Sequence, residues 1–385
     1  MTRIDAAFLS EDGSRVVSDM LTDADYQAWF VGGCVRNALL GVPVSDVDMA
    51  TDARPDVVLA LAKAAGLKAI PTGIDHGTVT VIADGRPFEI TTFRNDVKTY
   101  GRHAEVAFSD HLEDDAARRD FTMNALYAGI DGDVIDPVGG LPDLRARRVR
   151  FIGDANARIT EDYLRILRFF RFHATYGDPH GGIDADGLAA CAERQDGIGQ
   201  LSKERIGAET LKLLAAPNPA PSVAAMGSSG ILWRVLPGAT ADALAVLIHL
   251  EAGLAPDPIR RLAAMGGEDA TVNLRLSRAQ SKRLAALRDA ALGTDQPAVL
   301  GYRLGPDDGR DALLIRSALI GTSISETEFD AVTHGAKQAF PVTPADLMPA
   351  MAGKALGERL KHLEDQWIAS GFALSRAALL EISQD

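Results

Sequence analysis

The pattern of apolar and polar positions changes near residue 140. Upstream, short apolar runs predict strands and amphipathic spacing predicts helices, whereas downstream the Leu-, Ala- and Arg-rich spacing predicts helices alone. The predicted strands cover residues 29–31, 79–83 and 88–93, and the predicted helices of the first part cover residues 35–40 and 56–65. The chain is therefore predicted to have an α+β fold, in which an α/β head is followed by an all-helical remainder.

Composition narrows the class of protein. A chain of 385 residues can form two or three domains, and it contains no run of 18 apolar residues that would predict a membrane span. Its two cysteines, Cys34 and Cys191, are too few for a disulfide framework or a zinc site. We therefore expect a protein without a membrane partner, located in a reducing cytoplasm.

Charge is distributed unevenly along the chain. The net charge of −13 disfavours a nucleic-acid partner, because phosphate contacts are usually made by Lys and Arg. Residues 145–171, however, contain eight arginines and three acidic residues. A basic segment in an acidic chain predicts a localised surface for RNA or a nucleotide, and a solvated helix face is the alternative.

Two glycines and two aspartates form the most informative motif. Gly32 and Gly33 follow a predicted strand and precede a predicted helix, so backbone N–H groups can approach a phosphate without an obstructing Cβ. Asp46 and Asp48 are two residues apart, and in an extended segment such residues project from one face about 7 Å apart. Two carboxylates so placed can hold Mg²⁺. With Arg36 as a phosphate ligand, this order of residues predicts nucleotidyl transfer.

The charged segment 113–126 is expected to line the same cleft. Arg119 is a candidate phosphate ligand, and Asp120 could accept a hydrogen bond from a ribose hydroxyl. A solvated pattern of i,i+4 salt bridges is the alternative for this segment.

A third cluster predicts how a base is selected. Asp162, Arg165, Arg168 and Arg171 recur every three residues, and on one helix they would form a slanted polar stripe. An ionised Asp162 only accepts hydrogen bonds, and Arg165 only donates them. Together they complement the amino group and ring nitrogen of cytosine and of adenine, and they leave unpaired polar groups against uracil and guanine. The pair is therefore predicted to admit CTP and ATP without a nucleic-acid template.

These motifs, in this order, resemble those of the class II tRNA nucleotidyltransferases, or CCA-adding enzymes, and of the related bacterial poly(A) polymerases. The resemblance covers residues 28–215 and consists of Gly32-Gly33-x-Val35-Arg36, Asp46-Val47-Asp48, Arg118-Arg119-Asp120, residues 136–144, Glu161-Asp162-x-x-Arg165 and Ser202-Lys203-Glu204-Arg205-Ile206. It implies a polymerase-β-like nucleotidyltransferase head, followed by an all-helical neck, body and tail. The implied domains are a catalytic head at 1–140, a helical neck that recognises the base at 141–215, and a helical body and tail that bind tRNA at 216–385.

The resemblance also implies roles for individual residues. The residues implied to bind the triphosphate or ribose are Gly33, Arg36, Arg119, Arg168 and Arg171, and with Gly32 and Asp120 they complete the predicted nucleotide site. Asp162 and Arg165 would bind the base, and Asp46 and Asp48 would bind Mg²⁺. Glu89 is the candidate third catalytic carboxylate. The implied reaction adds C, C and A from CTP and ATP to the 3′ end of the tRNA acceptor arm and releases pyrophosphate. The polar segment 94–105, which contains Gly101, resembles the family's flexible loop.

Two alternatives stay open at this point. A poly(A) polymerase, or an enzyme that adds only part of the CCA end, would carry the same motifs, although an acidic body mildly disfavours polyadenylation of many RNAs. A non-catalytic RNA-binding protein on this scaffold is disfavoured by the intact Asp46, Asp48 and Arg119. One departure from the family pattern is Asn37, because aspartate usually follows the arginine of the glycine motif. Both metal ligands are intact, so we expect an adjusted hydrogen bond rather than an inactive enzyme.

Overall fold

The computed structural model describes residues 2–100, 103–348 and 350–382, and the chain forms two compact units. Unit 1 comprises Met1–Ala239 and Gly267–Arg275, and unit 2 comprises Thr240–Gly266 and Leu276–Asp385. The three-part division predicted from the sequence is a functional one and stays a prediction.

Unit 1 contains a mixed β-sheet. Its strands are β1 (Trp29–Val31), β2 (Val47–Thr51), β3 (Lys68–Gly73), β4 (Thr78–Ala83), β5 (Arg86–Thr92), β6 (Arg94–Tyr100), β7 (His103–Phe108), β8 (Tyr127–Ala128) and β9 (Val134–Ile135). Seven of these form one sheet in the order β3-β4-β5-β2-β1-β8-β9, while β6 and β7 pair with each other. Strands β2 and β5 are parallel, and the other neighbours in the sheet are antiparallel. The three predicted strands are confirmed as β1, β4 and β5.

Helices make up most of the remaining regular structure. The first twelve are α1 (Ala7–Ser10), α2 (Asp12–Thr22), α3 (Gly33–Leu40), α4 (Pro55–Ala64), α5 (Leu112–Ala117), α6 (Gly140–Arg145), α7 (Ala155–Glu161), α8 (Leu164–Tyr176), α9 (Ala185–Glu193), α10 (Lys203–Leu214), α11 (Ala220–Ser228) and α12 (Ile231–Val235). They are followed by α13 (Asp242–Leu250), α14 (Pro258–Met265), α15 (Ala270–Asn273), α16 (Arg278–Leu292), α17 (Pro297–Ile320), α18 (Glu326–Gly335), α19 (Pro344–Leu347), α20 (Gly353–Ala369) and α21 (Arg376–Glu381). The predicted helices are confirmed as α3 and α4. The all-helical remainder is also confirmed, because no strand follows β9 in the described part of the chain.

The segment 94–105, predicted to be a flexible loop, contributes to β6 and β7. Its Gly101 lies outside the described residues. The role in switching from C to A addition that the resemblance implies for this segment stays a prediction.

Local signals explain where the helices near the candidate site begin and end. Gly32 has a φ of 71°, which glycine adopts without strain, and this turn leads from β1 into α3. Gly41 ends α3 in the left-handed conformation. Asp154 caps α7, because its side chain accepts a hydrogen bond from the N–H of Ala157 at 2.7 Å.

The single helical stripe predicted from Asp162 to Arg171 is wrong at its first residue. Helix α7 ends at Glu161 and α8 begins at Leu164, and Asp162 between them has extended backbone angles of −152° and 107°. Its Oδ1 accepts a hydrogen bond from the N–H of Leu164 at 3.1 Å. This local bond favours a non-helical backbone, so only the three arginines share a helix.

An aromatic cluster fixes α8 within unit 1. Phe121 and Phe151 form an isolated β-bridge with ring centroids 5.0 Å apart. Phe169 and Phe172 on α8 pack against them, with centroids 5.4 Å from Phe151 and 5.0 Å from Phe121 respectively. The arginines of α8 are thereby held next to the Arg119-Asp120 segment.

Unit 2 is helical in its described residues. Helix α17 bends at Gly305, whose φ of 83° precedes Pro306. Part of its core consists of Val342, Leu363, Trp367 and Leu379. Across both units, the described chain has no helix with the length and apolar character that crossing a bilayer requires.

Candidate active site

The register between β2 and β5 brings two of the predicted carboxylates together. Asp48 and Glu89 are paired directly across these parallel strands, so their side chains leave the same face of the sheet. Val47 and Phe88, paired one position earlier, are buried on the opposite face. Asp46 is exposed one residue before β2. Glu89, the predicted third carboxylate, therefore lies beside Asp48, and its catalytic role stays a prediction.

These carboxylates repel one another. Burial, followed by the charge of Glu89, raises the pKa of Asp48 to about 6, and the charge of Asp46 adds to this, whereas that of Arg119 opposes it. In the described chain, no Lys, Arg or His forms an ion pair within 4.0 Å of any of the three carboxylates. Over residues 2–100, 103–348 and 350–382, no cluster of three or more His, Cys, Asp or Glu side chains could hold a metal ion alone.

The glycine turn lies beside Asp48 because β1 and β2 are antiparallel neighbours. Cys34, in the first turn of α3, contacts both strands, since its Sγ lies 3.4 Å from the carbonyl oxygen of Val31 and 3.8 Å from that of Asp48. A Cβ added to Gly32 would lie 3.3 Å from Nη1 of Arg119. Glycine at this position therefore lets the Arg119 guanidinium approach the turn closely.

Asp115 organises the two arginines of the Arg118-Arg119 motif. Its fully buried carboxylate accepts hydrogen bonds from Arg118 Nε and Arg119 Nη2, both at 2.9 Å, and from the Tyr127 hydroxyl at 2.7 Å. Burial alone would raise the pKa of Asp115, but Arg119 and then Arg118 hold it at about 2. The sequence interpretation missed Asp115 and Tyr127, although the i,i+3 and i,i+4 spacing from Asp115 to the arginines was a usable signal.

Asp120 is buried and already hydrogen-bonded within the protein. Its Oδ1 accepts from the N–H of Phe121 at 2.9 Å and from Asn124 Nδ2 at 2.8 Å, while Oδ2 accepts from Arg168 Nε at 2.7 Å. These contacts join the head segment to α8. A role for Asp120 in holding Arg168 is visible, and the predicted ribose contact stays a prediction.

Each arginine on α8 has a carboxylate partner. The pairs are Arg165 with Glu161, Arg168 with Asp120, and Arg171 with Glu209. Arg165 also donates to the backbone oxygens of Arg158 at 2.8 Å and Arg118 at 3.2 Å. Sequence reasoning did not assign a role to Glu209, because a single acid on a distant helix carries no local signal.

Asp162 is held from a different helix. Arg205, in α10, donates from Nη2 to Asp162 Oδ2 at 2.6 Å. Arg205 belongs to a motif that the sequence interpretation recognised without giving it a function. The contact orients the carboxylate predicted to read the base.

Arg36 differs from the other arginines because its partners are neutral. Its guanidinium is buried and donates to Asn124 Oδ1, to Asn37 Oδ1 at 2.9 Å and to the Tyr176 hydroxyl at 2.7 Å. Asn37 also donates from Nδ2 to the carbonyl oxygen of Pro43 at 2.8 Å. The hydrogen bond expected at the Asn37 departure is therefore present.

The predicted residues come together in unit 1. Arg119 acts on Asp48 by its charge and lies next to Gly32. The charge of Asp120 raises the pKa of Arg36, and Asp120 also forms a salt bridge with Arg168. The charge of Asp162 in turn contributes to raising the pKa of Arg168. The arrangement combines a carboxylate face, a glycine turn and a set of arginines, a combination that suits a nucleoside triphosphate beside carboxylates able to coordinate a divalent cation.

Known proteins match the same regions. Residues 28–150 match the family described as Poly A polymerase head domain, and residues 182–242 match the one described as Probable RNA and SrmB- binding site of polymerase A. The mitochondrial CCA tRNA nucleotidyltransferase 1 of Mus musculus is 32% identical, over 97% of this chain and 90% of that protein. The CCA-adding enzyme of Levilactobacillus brevis is 32% identical over 97% of each. The solved Bacillus stearothermophilus CCA-adding enzyme in complex with CTP is 25% identical, with a TM-score of 0.76 over 95% of this chain and 94% of that one.

Proposed function

The chain belongs to the family of CCA tRNA nucleotidyltransferases, the CCA-adding enzymes, and we propose from this premise that it adds C, C and A to the 3′ end of tRNA. CTP and ATP are the substrates, no nucleic-acid template is used, and pyrophosphate is released. The observation that carries the proposal is the register that sets Asp48 beside Glu89, next to the Gly32 turn. Carboxylates beside a phosphate-binding turn fit metal-assisted attack on an α-phosphate.

Asp46 and Asp48 are the proposed Mg²⁺ ligands, with Glu89 as the third carboxylate. The residues fit a divalent cation, because a bound positive charge would offset the burial and the carboxylate repulsion that raise the pKa of Asp48. Mg²⁺ is usually held by one or two carboxylates together with substrate phosphates and water, so a protein cluster of three ligands is not required. When bound, the ions would stabilise charge on the attacking hydroxyl and the leaving pyrophosphate.

The triphosphate is proposed to bind at the start of α3. The N–H of Gly32 donates to the carbonyl oxygen of Leu126 at 3.2 Å, so the N–H groups of the first turn of α3 are the proposed donors, and the positive end of this eight-residue helix favours an anion. The arginines proposed to assist are Arg36, Arg119, Arg168 and Arg171, and Asp120 is proposed to act at the ribose. Acidic partners fix the orientation of Arg119, Arg168 and Arg171 before the nucleotide arrives, and neutral hydrogen-bond partners fix that of Arg36.

Asp162 and Arg165 are proposed to select the base. Asp162 is oriented by Arg205, and Arg165 by Glu161 and two backbone oxygens. An acceptor and a donor held in this way complement cytosine and adenine. They penalise uracil and guanine, because either base would leave buried polar groups unpaired.

The three functional segments are proposed to be a catalytic head at 1–140, a base-recognising neck at 141–215, and a body and tail at 216–385 that bind the tRNA acceptor arm. The family match to an RNA-binding segment at 182–242 supports RNA contacts from residue 182 onward. The cytoplasmic location predicted from the cysteine content stays a prediction, since the mouse relative is mitochondrial by name.

The direct test is extension of tRNA that ends at the discriminator base. Purified protein with Mg²⁺ receives CTP alone, ATP alone or both, and the products are sized. Growth by three nucleotides only with both substrates is expected. Asp46→Ala is the matched variant, because it removes a proposed metal ligand from an exposed position outside the core.

Two other outcomes would replace the proposal. The family match to a poly(A) polymerase head gives that activity a specific basis, and a long A tail from ATP alone would identify it. Addition limited to C residues or to a single A would indicate a partial activity. Absence of any extension, with tRNA binding equal in wild type and Asp46→Ala, would indicate a non-catalytic RNA-binding protein.

A further inference from the structure

One buried arginine at the site has no acidic partner among the described residues. Arg118, Arg119, Arg165, Arg168 and Arg171 each form a salt bridge with a carboxylate. Arg36 is only 6% exposed, yet no Asp or Glu of the described chain lies within 4.0 Å of it. A buried guanidinium without a counter-ion is unfavourable, so this charge calls for an anion from elsewhere.

Neutral groups hold Arg36 in place. The guanidinium makes four hydrogen bonds, to Asn124, to the Tyr176 hydroxyl and twice to Asn37. Burial lowers the pKa of Arg36, Tyr176 and the more distant charge of Asp120 oppose this, and the nearby charge of Arg171 lowers it further. These contacts account for four of the five N–H groups and bring no negative charge of their own.

Tyr176 makes two kinds of contact with this guanidinium. Its hydroxyl oxygen accepts a hydrogen bond from Arg36 Nη2 at 2.7 Å, and its ring centroid lies 4.0 Å from Arg36 Cζ. The Phe172 ring is farther away, at 5.2 Å. A cation over an aromatic face is attracted by the ring quadrupole and keeps its full charge. Tyr176 is also the last residue of α8, so it links Arg36 to the helix that carries the other arginines.

We propose that Tyr176 is a positioning residue that holds Arg36 as a fixed positive charge, in contact with no carboxylate of the described chain, for the triphosphate of the incoming nucleotide. The inference rests on the proposed function and deepens it. The location fits, because a Cβ added to Gly33 in the phosphate-binding turn would lie 3.8 Å from Arg36 Nη2. A carboxylate in place of Tyr176 would fix the same side chain but would cancel the charge on which triphosphate affinity depends.

This role makes the effect of Tyr176 depend on the charge of the ligand. A nucleoside triphosphate carries β- and γ-phosphates that a monophosphate lacks, while both carry the same base and ribose. If Arg36 is no longer held in place, the affinity for CTP should therefore fall more than the affinity for CMP. General damage to the neck would lower the affinity for both ligands equally.

The test measures dissociation constants for CTP and CMP by calorimetry in wild type, Tyr176→Phe and Tyr176→Leu. Because Tyr176→Leu loses both the ring and the hydroxyl, its dissociation constant should rise about tenfold for CTP and less than about twofold for CMP. Tyr176→Phe keeps the ring and should weaken CTP about threefold. In extension assays, KM for CTP should rise in both variants while kcat at saturating CTP stays at the wild-type value.

Tyr302→Phe is the matched control, because it removes a tyrosine hydroxyl that donates to Glu364 in unit 2. It should leave both dissociation constants unchanged. Equal weakening of CTP and CMP in the Tyr176 variants, or no weakening of either, would overturn the inference. Because binding is measured without tRNA, failure of the wild type to extend tRNA would reject the proposed function while the CTP-to-CMP comparison still tests Tyr176.

Discussion

Two clusters of charged side chains differ in how completely their charges are paired. In unit 2, three arginines and four acids form a closed network whose members are Arg260, Arg261, Arg283, Glu251, Asp257, Asp308 and Asp311. Every ion pair in it is between 2.6 and 2.9 Å long, and Arg260, Arg261 and Glu251 are almost fully buried. Every member of this network contacts at least one residue of opposite charge.

In unit 1, the candidate site contains both negative and positive side chains that have no oppositely charged partner among the described residues. Asp46, Asp48 and Glu89 have no cationic partner within 4.0 Å in the described chain, and Arg36 has no acidic one. Unpaired charges are tolerated only where the surrounding fold holds them and a ligand can complete them. The difference teaches that charges without an opposite partner indicate a binding site, whereas a buried network outside the site that leaves no member unpaired indicates a structural role.

The largest expected effect follows from Asp48→Asn. Nucleotide addition should fall about 10³-fold, because a metal ligand contributes several kcal/mol to the transition state. The free energy of unfolding without Mg²⁺ should stay equal or rise, since the raised pKa shows that this charge is unfavourable in the folded protein. Initial rates and urea unfolding measure the two quantities. If Asp48→Asn loses activity because it unfolds, Asp48 would have a structural role, and the contrast between the two charge clusters would be contradicted.

Glu251→Gln tests the paired network of unit 2. Its buried carboxylate accepts from Arg260 at 2.6 Å and Arg261 at 2.8 Å, so removing its charge leaves Arg260 with Asp311 and takes an ion pair away from the buried Arg261. Unfolding in urea should show a loss of about 3–5 kcal/mol. The CTP dissociation constant of the folded protein should not change. An unchanged free energy of unfolding would show that the network is not structural.

Asp162 is an intermediate case, because this carboxylate is paired with Arg205 yet is proposed to read the base. Asp162→Ala should reduce the preference for CTP over UTP roughly 100-fold, because the acceptor for the base amino group is lost. Competing incorporation of the two nucleotides measures the preference. Asp196→Ala, which removes another paired acid of unit 1, should leave it unchanged. Equal preferences in wild type and Asp162→Ala would assign Asp162 a structural role only.

Asp115→Asn probes a fully paired carboxylate inside the site. The pKa of Asp115 is depressed to about 2, so its charge stabilises the folded state above about pH 4, and this contribution is lost as the pH falls towards 2. The shift corresponds to about 2 kcal/mol. The free energy of unfolding in urea should be higher for wild type than for Asp115→Asn by a constant amount between pH 7 and pH 4. Between pH 4 and pH 3 this difference should narrow. A difference that widens at low pH would contradict this sign.

Asn37→Asp should have the smallest effect. The new carboxylate would neutralise Arg36, and the oxygen that replaces Nδ2 would face the carbonyl oxygen of Pro43 instead of donating to it. KM for CTP should rise about fivefold, with kcat unchanged. Steady-state kinetics of C addition measures both. An unchanged or lower KM would show that the neutrality of the Arg36 contacts is unimportant.

Local sequence patterns correctly predicted several of the strands, turns and helices that carry the candidate site. The apolar run at Trp29–Val31 and the glycines after it led to β1, the turn and α3, because each depends on neighbours in the chain. The interpretation failed at Asp162, where a period of three suggested one helix. A hydrogen bond between its own side chain and the N–H of Leu164 interrupts that helix.

The amino-acid sequence by itself determined the order of elements, the glycine turn and the identity of the candidate metal and base ligands, since these follow from residue type and short-range spacing. Only the tertiary structure decided which charges are compensated. The pairing of Asp48 with Glu89, of Arg171 with Glu209 and of Arg36 with Tyr176 joins residues between 38 and 140 positions apart. Such contacts depend on strand register and helix packing, and a single sequence contains no local signal for either.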